Sequence, residues 1–388
     1  MNLNKKLNIA VFTSTRAEYG LLFPLLKKIN ANAAFSLKLL VGGSHLLHSY
    51  GHTIDFIKKD NFQITSLFPF LEENKKNYHK HDELSVLSKQ IGDYFLQDRP
   101  DIILILGDRY ELLAIASVAL VLDVPVGHIS GGDITEGLID NQVRHALAKI
   151  AHLHFPATEI ARDNLLKMGE ESWRICLAGE PGLDQILNMQ YVNKEDLYGD
   201  LNIPLDKELI IATFHPETIG NEMNPSFVTS LLEQLVLHGS FHVLVTASNF
   251  DIGGREINNA LLALCAKNKN ITFKESLGQT RYYSILKYAS LMIGNSSSGL
   301  VEAQSFKLPV LNVGKRQQGR LANANVMNVE LDIKKIVSVI PYALSDDFKA
   351  KFVSQPNKYG DGHAADRILN FINENMNRAS LLMKKDVF

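Results

Sequence analysis

Short runs of consecutive apolar residues, each followed by a longer stretch with helical spacing, recur along most of the chain. In the first half the runs fall at residues 9–12, 37–41, 102–106, 126–129 and 154–156. Between them, residues 19–29 set Leu22, Leu25, Leu26 and Ile29 on one helical face, and residues 112–122 repeat the pattern. Strands that are apolar at successive positions are buried on both faces, as in a parallel sheet covered by helices. A second series follows Pro204, with strands expected at 209–212, 243–245, 271–273, 291–293 and 310–312. Residues 180–204, with Gly182, Gly199 and Pro204, read as a linker. Residues 364–382 carry helical spacing at Ile368, Phe371, Ile372 and Met376. The expectation is α/β: two doubly wound domains, 1–185 and 186–363, with 364–388 packing back on the first. A ligand cleft is expected between them, at the carboxyl ends of the strands.

Composition narrows the function classes. The chain has 388 residues with a formal net charge of −2, and its Lys and Arg are spread out, so no basic face for a nucleic acid is expected. Any phosphate recognition is local. Two cysteines far apart, Cys176 and Cys265, exclude a disulfide framework and fit a reducing compartment. No run approaches the roughly 20 apolar residues that span a bilayer. The apolar stretch at 9–12 is too brief for a signal-peptide core. A soluble, cytoplasmic protein without membrane partners is expected.

Candidate chemistry gathers at strand ends. Thr13-Ser14-Thr15-Arg16-Ala17-Glu18-Tyr19-Gly20 follows the first strand, where a helix start offers N–H groups to an anion and Arg16 a charged donor. An ordinary capped helix with Arg16 and Glu18 solvated is the plain alternative. Gly107-Asp108-Arg109-Tyr110-Glu111 puts Asp108 at the end of another strand, as an active-site acid or a helix cap, with Glu111 expected in the first helical turn. His128-Ile129-Ser130-Gly131-Gly132-Asp133 leads to Glu136, Asp140, Arg144 and His145, and the paired glycines would let backbone pass close to a ligand. Asp108, Asp133, Glu136 and Asp140 around one site would allow one carboxylate to take a proton while another gives one. Asp140 and Arg144 could equally form a surface i,i+4 pair. The histidines at 128, 145, 152 and 154 match no zinc spacing, so no metal is expected.

In the second half, Phe214-His215-Pro216-Glu217-Thr218 follows the first strand, and Ser248-Asn249 with Arg255 follows the second. The most specific stretch is Gly294-Asn295-Ser296-Ser297-Ser298-Gly299-Leu300-Val301-Glu302-Ala303. Its Gly/Ser turn and helix start suit a diphosphate, and Glu302 can accept both hydroxyls of a ribose. A local basic loop, Lys315-Arg316-Gln317-Gln318-Gly319-Arg320, could clamp the same diphosphate.

Taken together, Thr-Arg-Ala-Glu-Tyr-Gly, Gly-Asp-Arg-Tyr-Glu, Gly-Gly-Asp…Ile-Asp…Arg-His, His-Pro-Glu-Thr and Asn-Ser-Ser-Ser-Gly…Glu resemble the hydrolysing UDP-N-acetylglucosamine 2-epimerases of sialic acid biosynthesis. The resemblance covers nearly the whole chain. It implies two Rossmann-like domains in a GT-B arrangement, no cofactor or metal, and a homodimer or homotetramer. It also implies anti elimination of UDP from UDP-GlcNAc to a 2-acetamidoglucal, then hydration to N-acetylmannosamine. Asp108, Asp133, Asp140 and His215 then become the catalytic set. Arg16, Arg109, Arg144, Asn249, Ser296, Ser297, Ser298, Gly299, Glu302 and Arg316 become substrate or UDP contacts. One departure is Ser130, where related epimerases often carry Glu. Rival readings are a UDP-N,N′-diacetylbacillosamine 2-epimerase of legionaminic acid synthesis, a non-hydrolysing epimerase, a retaining glycosyltransferase and a non-catalytic UDP-sugar sensor.

Overall fold

A computed structural model describes residues 6–73, 79–134, 139–216, 223–237, 240–248, 253–376, 378–385 and 387. The chain divides into two compact units, Met1–Leu187 with Tyr359–Phe388, and Asn188–Lys358.

The first unit contains β1 (Leu7–Thr13), α1 (Arg16–Ala31), β2 (Phe35–Gly42), α2 (Ile54–Lys59), β3 (Ile64–Phe68), α3 (Lys80–Gln97), β4 (Ile102–Leu106), α4 (Leu112–Val121), β5 (Val126–Ile129), α5 (Ile139–Ile150), β6 (Leu153–Phe155), α6 (Glu159–Lys167) and α7 (Asp184–Asn188). Its sheet is parallel throughout, in the order β3-β2-β1-β4-β5-β6. Alternate β1 residues serve opposite faces. Ile9 and Val11 pack with α1, while Ala10 and Phe12 pack with α3 and α4. Both sets are excluded from water, which is why the strand reads as an unbroken apolar run.

The second unit contains α8 (Lys194–Leu201), β7 (Glu208–Thr213), α9 (Pro225–Leu237), β8 (Phe241–Thr246), α10 (Gly254–Cys265), β9 (Ile271–Lys274), α11 (Gly278–Tyr288), β10 (Leu291–Gly294), α12 (Ser298–Val301), β11 (Val310–Val313), β12 (Val326–Val329), α13 (Ile333–Leu344) and α14 (Asp346–Lys349). Its order, β12-β11-β10-β7-β8-β9, repeats the winding of the first sheet. Each sheet therefore has a switch point, between β1 and β4 and between β7 and β10. Ligands of doubly wound sheets bind at the carboxyl ends of such strands.

Three expectations change. The edge strands β3 and β12 lack a continuous apolar run because each has one sheet neighbour and is only partly covered. The stretch 180–204 is not a bare linker: it holds α7 and α8, the latter capped by the Asn193 side chain. The helix expected over 364–382 is two helices, α15 (Ala364–Asn375) and α16 (Arg378–Leu382). The chain rejoins the first unit at Tyr359, where Gly179 and Gly360 pack backbone to backbone and Glu180 N–H donates to the Tyr359 carbonyl at 2.7 Å. Asp184 then caps α15 by accepting from the Ala364 and Ala365 N–H groups, both at 2.8 Å. Among the described residues no helix is long and apolar enough to cross a membrane.

Candidate active site

In the first unit, the turns after β4 and β5 meet α5. Gly107 leaves β4 with φ +82°, and its carbonyl accepts from Nε2 of His128 at 2.7 Å. His128 is wholly enclosed; burial lowers its ring to about 4, so it is neutral and donates from Nε2. This contact fixes the turn that presents Asp108. Arg144, buried one turn into α5, donates Nη2 to the Asp108 carboxylate and Nη1 to the Asp133 carbonyl at 2.9 Å. One guanidinium thus ties the β4 turn, the loop after β5 and α5 together. Arg144 is therefore not confined to a solvent-exposed pair with Asp140. Burial, and then the charge of Asp108, push the Asp140 carboxyl above its ordinary range. An ion-paired acid beside a raised one is the arrangement that divides base and acid roles.

The turn after β1 is a capped helix start, with one difference from the plain expectation. Thr15 and Glu18 form a reciprocal capping box, but Glu18 is buried rather than solvated. Its Oε2 accepts from the N–H of Ser14 at 2.9 Å and of Thr15 at 3.1 Å. Arg16 is exposed, with its guanidinium 4.9 Å above the Phe56 ring. Glu111 does not simply answer the α4 dipole. It is buried, and its Oε1 meets Ser14 Oγ at 2.7 Å and Arg109 Nε at 2.5 Å.

The paired glycines also meet a packing need. A Cβ on Gly131 would lie 2.6 Å from His128 Nδ1, and one on Gly132 would lie 2.3 Å from the Ala161 carbonyl of α6. Ser130, at φ +58°, donates Oγ to Glu180 Oε2 at 3.0 Å. A carboxylate thus reaches the position where Ser130 stands.

In the second unit, Gly294 ends β10 at φ +142°, and a Cβ there would fall 1.9 Å from the Thr213 carbonyl of β7. The buried Asn295 clamps the His215 backbone at two points: Oδ1 accepts its N–H at 2.7 Å and Nδ2 donates to its carbonyl at 2.8 Å. The Asn295 carbonyl in turn accepts from Arg316 Nη1 at 3.1 Å and Gln317 Nε2 at 3.0 Å. The His215 turn, the Ser296–Ser298 turn and the basic loop are therefore joined through one residue, by its side chain and its backbone. Ser298 Oγ accepts from the Tyr282 hydroxyl at 2.6 Å. Burial raises the Glu302 carboxyl, and its Oε2 has no hydrogen-bond partner. The helix expected after the serines is a single turn, α12, so it brings only a small dipole to an anion. Gly299 packs against Val310.

Asn249, Glu136, Glu217 and Thr218 lie outside the described residues. The residues not anticipated are Ser14, Asn295, Tyr282, Glu180 and the inward-facing Glu18 and Glu111. The capping-box spacing Thr15…Glu18 was visible, but not the burial of its glutamate. Asn295 stood inside a motif already singled out for its serines.

Two repeated doubly wound units, with acids and arginines at one switch point and a Gly/Ser turn at the other, define a two-unit α/β protein with polar groups at the ligand-binding ends of its strands. Residues 27–373 match the family described as UDP-N-acetylglucosamine 2-epimerase, and the chain belongs to that family. It is 38% identical over 328 residues to the "GDP/UDP-N,N'-diacetylbacillosamine 2-epimerase (hydrolyzing)" of Campylobacter jejuni, covering 84% of this chain and 85% of that one. It is 32% identical to the "UDP-N,N'-diacetylbacillosamine 2-epimerase (hydrolyzing)" of Legionella pneumophila, covering 92% and 93%. It is 31% identical to a "UDP-N-acetylglucosamine 2-epimerase" of Neisseria meningitidis, covering 87% of each chain. The fold matches the crystal structure of UDP-GlcNAc 2-epimerase from Neisseria meningitidis bound to UDP-GlcNAc, with a TM-score of 0.80 at 17% identity, over 95% of this chain and all of that one.

Proposed function

We propose that this chain is a hydrolysing nucleotide-sugar 2-epimerase whose substrate is UDP-N,N′-diacetylbacillosamine. The substrate choice reverses the order suggested by the motifs, which put UDP-GlcNAc first. It is supported by the 38% and 32% identity to two hydrolysing enzymes named for the diacetylated sugar. UDP-GlcNAc is the second reading, favoured by the 31% identical Neisseria relative.

The observation that carries the chemistry is the Asp108–Arg144 ion pair beside the raised Asp140. In the proposed first step a carboxylate removes the C2 proton, the C1–O bond breaks, and UDP leaves with that electron pair, giving a glycal. Water then adds: its hydroxyl goes to C1, and a proton returns to the opposite face of C2. Asp140 and Asp108 divide the base and acid roles, with Asp133 close by through its carbonyl contact to Arg144. Departing diphosphate needs fixed donors. Arg16, Arg109, Arg316, the Ser296–Ser298 turn and His215 are the groups assigned to it. The unpartnered Glu302 Oε2 is an acceptor suited to ribose hydroxyls. No cofactor takes part, and a homodimer or homotetramer is the proposed assembly.

An NMR time course in deuterated water, with each UDP-sugar offered separately, tests this reading. The expected outcome is UDP release with a free, C2-deuterated, manno-configured diacetamido sugar, and slower or no turnover of UDP-GlcNAc. Faster turnover of UDP-GlcNAc would reverse the substrate assignment. UDP binding without turnover of either would sink the epimerase reading.

A further inference from the structure

Two buried carboxyls beside Asp108, those of Glu18 and Glu111, take no part in the proposed mechanism. Ser14 is wholly buried at the end of β1, and its Oγ lies 2.8 Å from Glu18 Oε2 and 2.7 Å from Glu111 Oε1. A serine hydroxyl has one proton, and an ionised carboxylate can only accept. Two such contacts therefore need a second proton. With both carboxyls ionised, one of the two oxygen–oxygen contacts would press lone pairs together in a buried site.

We propose that Glu18 and Glu111 hold one proton between them through Ser14, leaving a single negative charge that positions Arg109 beside Asp108. The surrounding groups agree with this count. Glu18 Oε2 receives two backbone N–H groups, whereas Glu111 Oε2 is buried with no partner at all, a poor setting for a full charge. Arg109 Nε lies 2.5 Å from Glu111 Oε1 and 3.8 Å from Glu18 Oε1, so one guanidinium faces both. One proton makes the two carboxyls and Arg109 together neutral; two ionised carboxylates would leave them negative where a diphosphate is to be received. The other charged groups facing these residues are Asp108 and Asp140, both through Arg109, and Glu83 with Lys80 from α3. Burial pushes the Glu18 carboxyl upward against the pull of Arg109.

The effect on catalysis rests on the epimerase reading, but the proton count does not. Enzyme labelled with carboxyl-¹³C glutamate is titrated by NMR around neutral pH. The variant E302Q removes the other buried, raised glutamate from the count without touching Ser14, Glu18 or Glu111. One neutral glutamic acid resonance should persist in E302Q, vanish in E18Q and in E111Q, and move in S14A. If E302Q shows no neutral glutamic acid at neutral pH, or if the resonance survives unchanged in any folded variant of Ser14, Glu18 or Glu111, the shared proton is overturned. In turnover, the double variant E18Q/E111Q, which strips Arg109 of both anions, should lose at least about tenfold more kcat/KM than the two single losses combined, because either carboxylate left alone still holds Arg109. Failure to turn over any UDP-sugar would overturn the epimerase reading and leave the resonance count to stand.

Discussion

Arg144 shows how one side chain organises the first unit. By spacing alone its partner is Asp140, four residues back; in the fold its guanidinium is spent on Asp108 and the Asp133 carbonyl. Asp140 is left buried in part and repelled by Asp108, which raises its carboxyl. Replacing Asp108 with Asn removes that repulsion and releases Arg144 from its pair, so the Asp140 pKa should fall. A ¹³C-aspartate titration measures it, and a rise would contradict this account. The sign for stability follows: a carboxyl raised in the fold favours the folded state at low pH, and the contribution is lost as pH climbs through the raised value. Asn295 is the matching residue of the second unit. Asn295→Ala breaks two bonds to His215 and strands buried backbone groups, at an expected cost of about 2–4 kcal/mol. Urea unfolding measures the loss, and UDP binding by calorimetry should weaken with it. The chemistry-bearing residues were legible one by one, because acids and Gly/Ser turns after apolar runs mark strand ends. Their pairings were not, since Ser14 and Glu111 meet from 97 positions apart.

At the scale of elements, α5 is held from both ends. Its N-terminal turns carry Asp140 and Arg144. At its C-terminal end, Lys384 Nζ donates to the carbonyls of Ala148, Lys149 and Ala151 and pairs with the fully buried Glu170 at 2.7 Å. Arg174, also fully buried, holds the same tail through the carbonyls of Ser380, Leu381 and Met383. Lys384→Met removes the cap and part of the compensation of a buried charge, so a loss of about 3 kcal/mol is expected, with Lys384→Arg losing less. Burial alone would raise the Glu170 carboxyl, but hydrogen bonds from His154 and Lys384 outweigh it and hold it at about 2. A carboxyl lowered in the fold stabilises above its unfolded value and loses that effect as pH falls from about 4.5 towards 2. Thermal melts of wild type and Glu170→Gln should therefore differ most near neutrality and converge in acid; a constant gap would contradict the assignment.

For the whole molecule, the first unit is discontinuous in sequence and the second is not. Ile368, Leu369, Ile372 and Leu381 sit in the core of the first unit with at most 4% exposure. At about 2 kcal/mol for each buried aliphatic side chain, losing them removes a sum comparable to the stability of a whole domain. Residues 188–358 expressed alone should give a dispersed amide spectrum. Residues 1–187 alone should not, until 359–388 are supplied on the same chain. A folded 1–187 fragment would show that the returning segment is dispensable.

The sequence by itself determined the alternation of strands and helices, the doubling of the fold and the strand ends where chemistry collects. These depend on local spacing: a strand covered on both faces must be apolar at every position, and a turn needs Gly or Ser where it occurs. Tertiary structure decided the edge strands β3 and β12, whose sparse apolar pattern carries no such mark. It also decided that 184–188 and 194–201 are helices, and the reason for Gly131 and Gly132, which make room for His128 and α6. Above all it decided which charges meet. Ion pairs and shared protons depend on distance and on exclusion of water, and both are set only when segments remote in sequence pack together.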